Sequence, residues 1–192
     1  CNSSSFSFAL TSISAIVMLL FGHIRTVDAQ IVADPSAPKT QQATILKTSS
    51  GATQVNIQTP SRTGVSVNQY KQFDTGTNGT ILNNSRVNAQ TQSAGWVQAN
   101  PWLVGGEARI IVNQVNSVNP SHLRGVIETA GGRAEVIIVN PAGLQVDGVT
   151  FLNASRTTLS TGNPIFFGDN LESYRVTSGN ISIIGDGLNT LD

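Results

Sequence analysis

The sequence is short of the residues on which most enzyme chemistry depends. Cysteine occurs once, at position 1, which excludes a disulfide framework and any thiolate zinc site. Histidine occurs twice, and His23 falls in an apolar leader, so a His-rich metal centre is excluded too. Charged residues make up only 11% of the chain, against about a quarter in ordinary soluble domains. The 11 Lys+Arg balance 11 Asp+Glu and form no basic cluster, which argues against nucleic acid or an anionic membrane surface as the main partner. What is present is Asn, Ser, Thr, Gln and Gly, in a chain of 192 residues, long enough to bury the core of one domain.

An apolar segment runs from Phe6 to Ile24 and is densest from Ala15 to Phe21. That dense run is short for the roughly 20 residues of a membrane span. It is followed by Val27-Asp28-Ala29, the small-residue pattern of a signal cleavage site. Residues 1–29 therefore read as a secretory signal cut between Ala29 and Gln30, in preference to a retained anchor or a lipidated Cys1. The positive start of such a signal is missing, which is expected if a longer leader has lost its beginning. The mature piece, 30–192, then contains neither Cys nor Met, and packing and hydrogen bonds alone must hold it.

Gln30 to Ser50 carries Pro35 and Pro38 and little periodicity, and reads as an extended lead-in. Beyond it, Val55-Asn-Ile57 and Ile181-Ser-Ile183 place apolar residues at i and i+2, the period of half-buried strands. Ile110-Ile-Val112 and Val136-Ile-Ile-Val139 are apolar on both faces, as in strands covered on two sides. No helical periodicity persists over three turns, so an all-β fold is expected. Asn-Pro recurs at Asn100, Asn119, Asn140 and Asn163, suggesting units of about 20 residues, the mark of a solenoid. Gly131-Gly132, Ala142-Gly143, Asp147-Gly148 and Thr161-Gly162 are the expected turns. A leucine-rich frame is absent, and a parallel β-helix suits a composition in which stacked Asn side chains bond along the axis.

Val55-Asn-Ile57, Gly64-Val-Ser66, Asn68-Gln-Tyr70, Gly79 to Ser85, Asn100-Pro-Trp-Leu103, Glu107 to Val115 and Asn140 to Gly148 occur in an order that resembles the secretion domain of two-partner-secretion exoproteins, the filamentous-haemagglutinin-like family. The resemblance runs from about Gln30 to Asp192. The family motif NPNL stands here as Asn100-Pro101-Trp102-Leu103, and NPNGI as Asn140-Pro141-Ala142-Gly143-Leu144. Both keep the Asn-Pro turn and the closing apolar residue, and each has lost its second Asn. The resemblance implies a right-handed parallel β-helix with an N-terminal cap and extra-helical strands. It also implies a non-enzymatic export signal of a larger adhesin, haemolysin or contact-dependent toxin, without cofactor or metal. The implied partner is an outer-membrane β-barrel transporter with periplasmic POTRA domains. The implied location is the medium or cell surface of a Gram-negative bacterium, reached through the periplasm, where the missing C-terminal part would meet a host or neighbouring cell. The two Asn-Pro motifs are the candidate partner-binding or turn-forming sites. A β-helix polysaccharide lyase or hydrolase would need clustered carboxylates, and an autonomous glycan-binding adhesin would act through a Trp-bearing surface.

Other residues carry plainer expectations. His122 reads as a surface-turn histidine, and Asp147, Asp169 and Asp186 as turn residues beside Gly. Trp96 and Trp102 are expected in core or cap packing ahead of a sugar or partner platform. Glu107, Arg109, Glu128, Arg133 and Glu135 are expected as solvated cross-strand pairs. The N-x-S/T triplets at Asn2, Asn78, Asn83, Asn153 and Asn180 follow from composition.

Overall fold

A computed structural model describes residues 29–189; the expected leader lies outside the described residues, apart from Ala29 at its end. The chain forms fifteen strands: β1 Ile31–Ala33, β2 Thr44–Lys47, β3 Thr53–Asn56, β4 Val65–Phe73, β5 Thr80–Asn84, β6 Ala89–Thr91, β7 Gly95–Val97, β8 Ile110–Val115, β9 Ser121–Gly131, β10 Ala134–Val139, β11 Leu144–Leu152, β12 Ala154–Ser160, β13 Asn163–Phe167, β14 Asn170–Arg175 and β15 Ile181–Leu188. A 3-10 turn at Lys39–Gln41 is the single helical element among the described residues.

From β3 onward the chain alternates between two sheets, ordered β1-β4-β8-β10-β12 and β15-β11-β9-β5-β3-β2. Neighbouring rungs pair in parallel, so the architecture is a parallel β-helix. Ile110 pairs with Glu135, and Glu135 with Arg156; Ser121 pairs with Leu144. These rungs are 21–25 residues apart, close to the expected unit. Longer steps, such as Val65 to Ile110 and Leu144 to Ile181, arise where a hairpin is inserted between rungs.

The interior is lined by Val55, Leu82, Ile111, Leu123, Ile127, Val136, Ile138, Leu144 and Val146, all essentially inaccessible. Each such side chain is worth about 1.5–3 kcal/mol relative to exposure. Tyr70 closes the N-terminal end of this interior, edge-on to Phe73 at 4.9 Å between ring centroids. Its hydroxyl donates to Asn113 Oδ1 at 3.0 Å, and burial pushes the phenol pKa up.

The doubly apolar runs have the cover they call for. Hairpin β13–β14 brings Phe166, Leu171 and Tyr174 onto Val65, Val112, Ile137 and Val139 of one outer face. Hairpin β6–β7 brings Ala94 and Val97 onto Ile81, Ala130 and Ala52 of the other. These two hairpins are the extra-helical strands.

Several local expectations are corrected. The lead-in is a cap: β1 runs antiparallel to β4 and β2 antiparallel to β3, with Ile31 and Ala43 on the core. β3 is buried on both faces, because β6–β7 and its flanks cover the outer one. Ile181 and Ile183 are exposed instead of half-buried, because β15 is the outermost strand of its sheet. Asp147-Gly148 is an irregularity within β11 and not a turn. Asp147 and Asp186 are strand residues, whereas Asp169 does occupy the two-residue turn of β13–β14.

Candidate functional site

Asn100 and Asn140 build the same turn. Each carbonyl oxygen accepts from the amide three residues on, Leu103 at 3.2 Å and Gly143 at 2.9 Å. Each side-chain Oδ1 accepts from the amide two residues on, Trp102 at 3.0 Å and Ala142 at 2.9 Å. Proline at the second position locks φ where such a turn needs it. The remaining amide donors reach other rungs. Asn100 Nδ2 donates to Ile57 O and Asn83 O, both at 2.8 Å. Asn140 Nδ2 donates to Asn119 O and Ser121 Oγ, both at 3.0 Å. Asn100 is 3% exposed and Asn140 fully buried.

The two turns lie on different sides of the helix. Asn100 follows β7 and leads toward β8, whereas Asn140 joins β10 to β11. They share no hydrogen-bond partner, and the structure does not bring them together. In the first, Leu103 is buried in the core while Pro101 and Trp102 are exposed. In the second, Leu144 is buried, Gly143 has φ +126° and Pro141 and Ala142 are half-buried. The other two Asn-Pro pairs differ: Asn119 is an exposed acceptor and Asn163 opens β13.

Both indoles are exposed, which corrects the expectation of core packing, although Trp102 keeps a bond to the cap. Trp102 is 42% exposed, and its Nε1 donates to Thr44 Oγ1 of β2 at 3.1 Å. Leu46, two residues on and so on the same face of β2, is exposed as well, as is Val104. Trp96 is 68% exposed on β7.

Three charged residues also differ from expectation. Glu128 is 4% exposed and not solvated; its carboxylate accepts from Gln92 N (2.8 Å), Ser93 N (2.9 Å) and Ser93 Oγ (2.7 Å), fixing the tip of hairpin β6–β7. Arg109 and Arg133 donate to the carbonyls of Thr63 and Ala154 instead of to carboxylates. Glu135 does form a cross-strand pair, with Arg156 at 2.6 Å. His122 is a strand residue whose backbone amide donates to Asp74 Oδ1 at 2.8 Å, with Nδ1 3.5 Å from the same oxygen. In the cap, Asp34 accepts from Ser36 and Asn116, and these hydrogen bonds hold its carboxyl below the usual value.

Sequence reasoning missed a set of buried amides. Asn84 Nδ2 donates to Ala108 O and Gly132 O, and Asn83 Nδ2 to Asn56 Oδ1 and Gln98 O. Asn153, exposed and at φ +53°, donates in the same way to Thr129 O and Gly131 O. The available signal was Asn83-Asn84 at the end of a strand, where β propensity is poor and bonding must compensate. Among the described residues no group of three or more His, Cys, Asp and Glu could hold a metal ion.

Comparison with known proteins agrees with this geometry. The family model described as the TPS secretion domain matches residues 29–192. Toxin CdiA of Yersinia pestis is 50% identical over 95% of this chain, which spans 6% of that protein. The tRNA nuclease CdiA-2 of Burkholderia pseudomallei (strain 1026b) is 47% identical over 95% of the chain, again 6% of that protein. The crystal structure of the filamentous hemagglutinin secretion domain superposes with a TM-score of 0.74 at 33% identity, covering 83% of this chain and 51% of that one.

Proposed function

Since the chain belongs to the TPS secretion domain family, we propose that residues 30–192 are the export signal of a longer exoprotein, read by an outer-membrane β-barrel transporter with POTRA domains. The observation that carries this reading is the coincidence of match and fold: the family model covers 29–192 and the β-helix with its cap fills 29–189. The family is a secretion domain and not a catalytic one.

In this proposal the Asn100 and Asn140 side chains act as turn formers. The contact with the transporter is assigned to the exposed residues around the first turn, Trp102 with Leu46 and Val104. The second part of the proposal is folding. β1 and β2 seal one end of the helix, whereas β12 and β15 are the outermost strands at the other, and Ile181, Ile183, Ile184 and Leu188 are exposed there. The following rungs of the exoprotein would stack on that open end, each adding stability to the last. The low charge content also suits a chain that must leave water to thread a pore.

The test is export of the chain, behind a complete leader, in Gram-negative cells with and without the matched outer-membrane partner. Accumulation in the medium only with the partner is the expected result. Release independent of the partner, or none in either strain, overturns the proposal.

A further inference from the structure

The sheet β1-β4-β8-β10-β12 has a gap along its capped edge. Between Gly64 and Tyr70 the backbone of the even residues faces β8: Gly64 O accepts from Ile110 N, and Tyr70 O from Asn116 N. Alternation turns the backbone of Val65, Val67 and Gln69 to the opposite edge. There Gln69 O accepts from Asp34 N and Val65 O from Ser61 N, each at 2.9 Å. Val67, between the two, takes no such bond among the described residues. The cause is local sequence. β1 ends just before Asp34-Pro35, and proline has no N–H with which to continue the ladder. Ser36 N donates to Asp34 Oδ1 and Ala37 N to Asp34 O, closing a turn that takes the chain off the β4 edge.

The gap opens into a cleft of about 430 Å³ lined by Val65 and Val67, by Thr40 and Gln41 of the 3-10 turn, and by Phe166 and Asp169 of hairpin β13–β14. Both sides are held in place. The Gln69 amide donates to Gln41 Oε1, and Ser61 Oγ and Thr63 Oγ1 donate to Asp169 O. An occupant therefore meets a preorganised site. A free N–H and C=O on a strand edge are the complement of another extended backbone, and the bonds on either side of Val67 are of that kind. From Val65 to Gln69 is about 13 Å, room for about three residues. An entrant running antiparallel, as β1 does, gives the residue opposite Val67 both backbone bonds. Its side chain then lies on the apolar side with Val67 and Phe166, which calls for an aliphatic residue. Its two neighbours point toward the fully buried Ser66 and Asn68, where only small residues fit. The entrant leaves toward Ser61, past the exposed carboxylate of Asp169, which favours a basic residue there.

We infer that the gap at Val67 docks an extended peptide, antiparallel to β4, whose successive residues are small, aliphatic, small and basic. The probe is the peptide Ser-Gly-Ile-Gly-Arg-Ser, acetylated and amidated, titrated into the isotope-labelled purified chain and followed by NMR. A saturable shift of the Val67 amide with a Kd below about 1 mM is expected. N-methylation of the peptide's isoleucine removes one of the two backbone bonds and should weaken binding about fivefold or more. Glutamine in place of the peptide's arginine should weaken it about 2–5-fold at low salt. Asp169→Asn should abolish that difference and leave the unfolding midpoint unchanged. Three results would overturn the inference. The first is no saturation below about 1 mM. The second is equal binding of the N-methylated peptide, which would mean that the backbone is not read. The third is a concentration-dependent shift of Val67 without peptide, together with a doubled hydrodynamic mass, which would give the gap to a second copy of the chain.

Discussion

Replacing Asn100 by alanine tests whether this side chain is a turn former or a recognition element. The substitution removes two donors and one acceptor from a position 3% exposed to solvent. Ile57 O and Asn83 O lose a donor at 2.8 Å, and the Trp102 amide loses an acceptor at 3.0 Å. A buried hydrogen bond is worth about 1 kcal/mol net, and more when its partner is left unsatisfied. Three of them make about 3 kcal/mol, a large part of the roughly 5–15 kcal/mol that holds a domain together. For a chain of this size each kcal/mol moves the melting temperature by roughly 2–4 °C, so Asn100→Ala should melt about 6–12 °C lower. The assay is thermal unfolding by circular dichroism, run beside partner-dependent export. Asn100→Asp keeps the acceptor for Trp102 but turns a carboxylate oxygen toward two carbonyls, and should be at least as damaging at neutral pH. Asn140→Ala loses a similar set of bonds, and because the turns share no partner the double variant should be additive to within about 0.5 kcal/mol. A midpoint within about 2 °C of the parent with export abolished would refute the reasoning and make Asn100 a contact residue.

Three further outcomes follow from the same geometry. Trp102→Ala, which removes an exposed side chain and one bond to Thr44, should lower export several-fold while the midpoint falls by no more than about 4 °C; unchanged export removes Trp102 from the transporter surface. Gly131→Ala places a Cβ 2.5 Å from that of Ser85 at φ +78°, and should cost about 2–4 kcal/mol in denaturant unfolding; a neutral effect would mean that the rungs there are not tightly stacked. The Asp34 carboxyl, held below its ordinary 3.8 by hydrogen bonds from Ser36 and Asn116, contributes stability that is present above that value and is lost as pH falls through the lower folded value. The stability gap between the parent and Asp34→Asn should therefore narrow on acidification below about pH 4, and a gap independent of pH would show that the charge is not the source.

The fold was legible where strands announce which faces are covered. Ile110-Ile-Val112 and Val136-Ile-Ile-Val139 demanded cover on two sides, and both receive it. The cover itself was not legible, because the β6–β7 hairpin packs through small residues, Ala94 and Val97, and through one carboxylate on a distant strand, Glu128. Charge alone marked Glu128 as a surface residue, and only the amides of Gln92 and Ser93 explain its burial. The Asn-Pro spacing gave a unit of the right size for a partly accidental reason. Asn100 and Asn140 make equivalent turns but on different sides, while Asn119 and Asn163 make neither. The exposure of Trp96 and Trp102 was hidden because aromatic residues are usually buried, and sequence holds no sign that their strand and turn face outward.

Part of the unusual polarity of the chain is internal. Asn84 reaches Ala108 O and Gly132 O on successive rungs, and Asn113 reaches Ile137 O. A primary amide suits these positions because it carries donors and an acceptor and no charge. A carboxylate would face carbonyls, an ammonium would have to be desolvated, and either costs several kcal/mol in such surroundings. At these buried positions the absence of charge and the choice of Asn are thus one property of rungs bonded to rungs along an axis. Each rung then depends mainly on its neighbours, and among the described residues the cap stands at the β1–β2 end, while β12 and β15 are the outermost strands at the other.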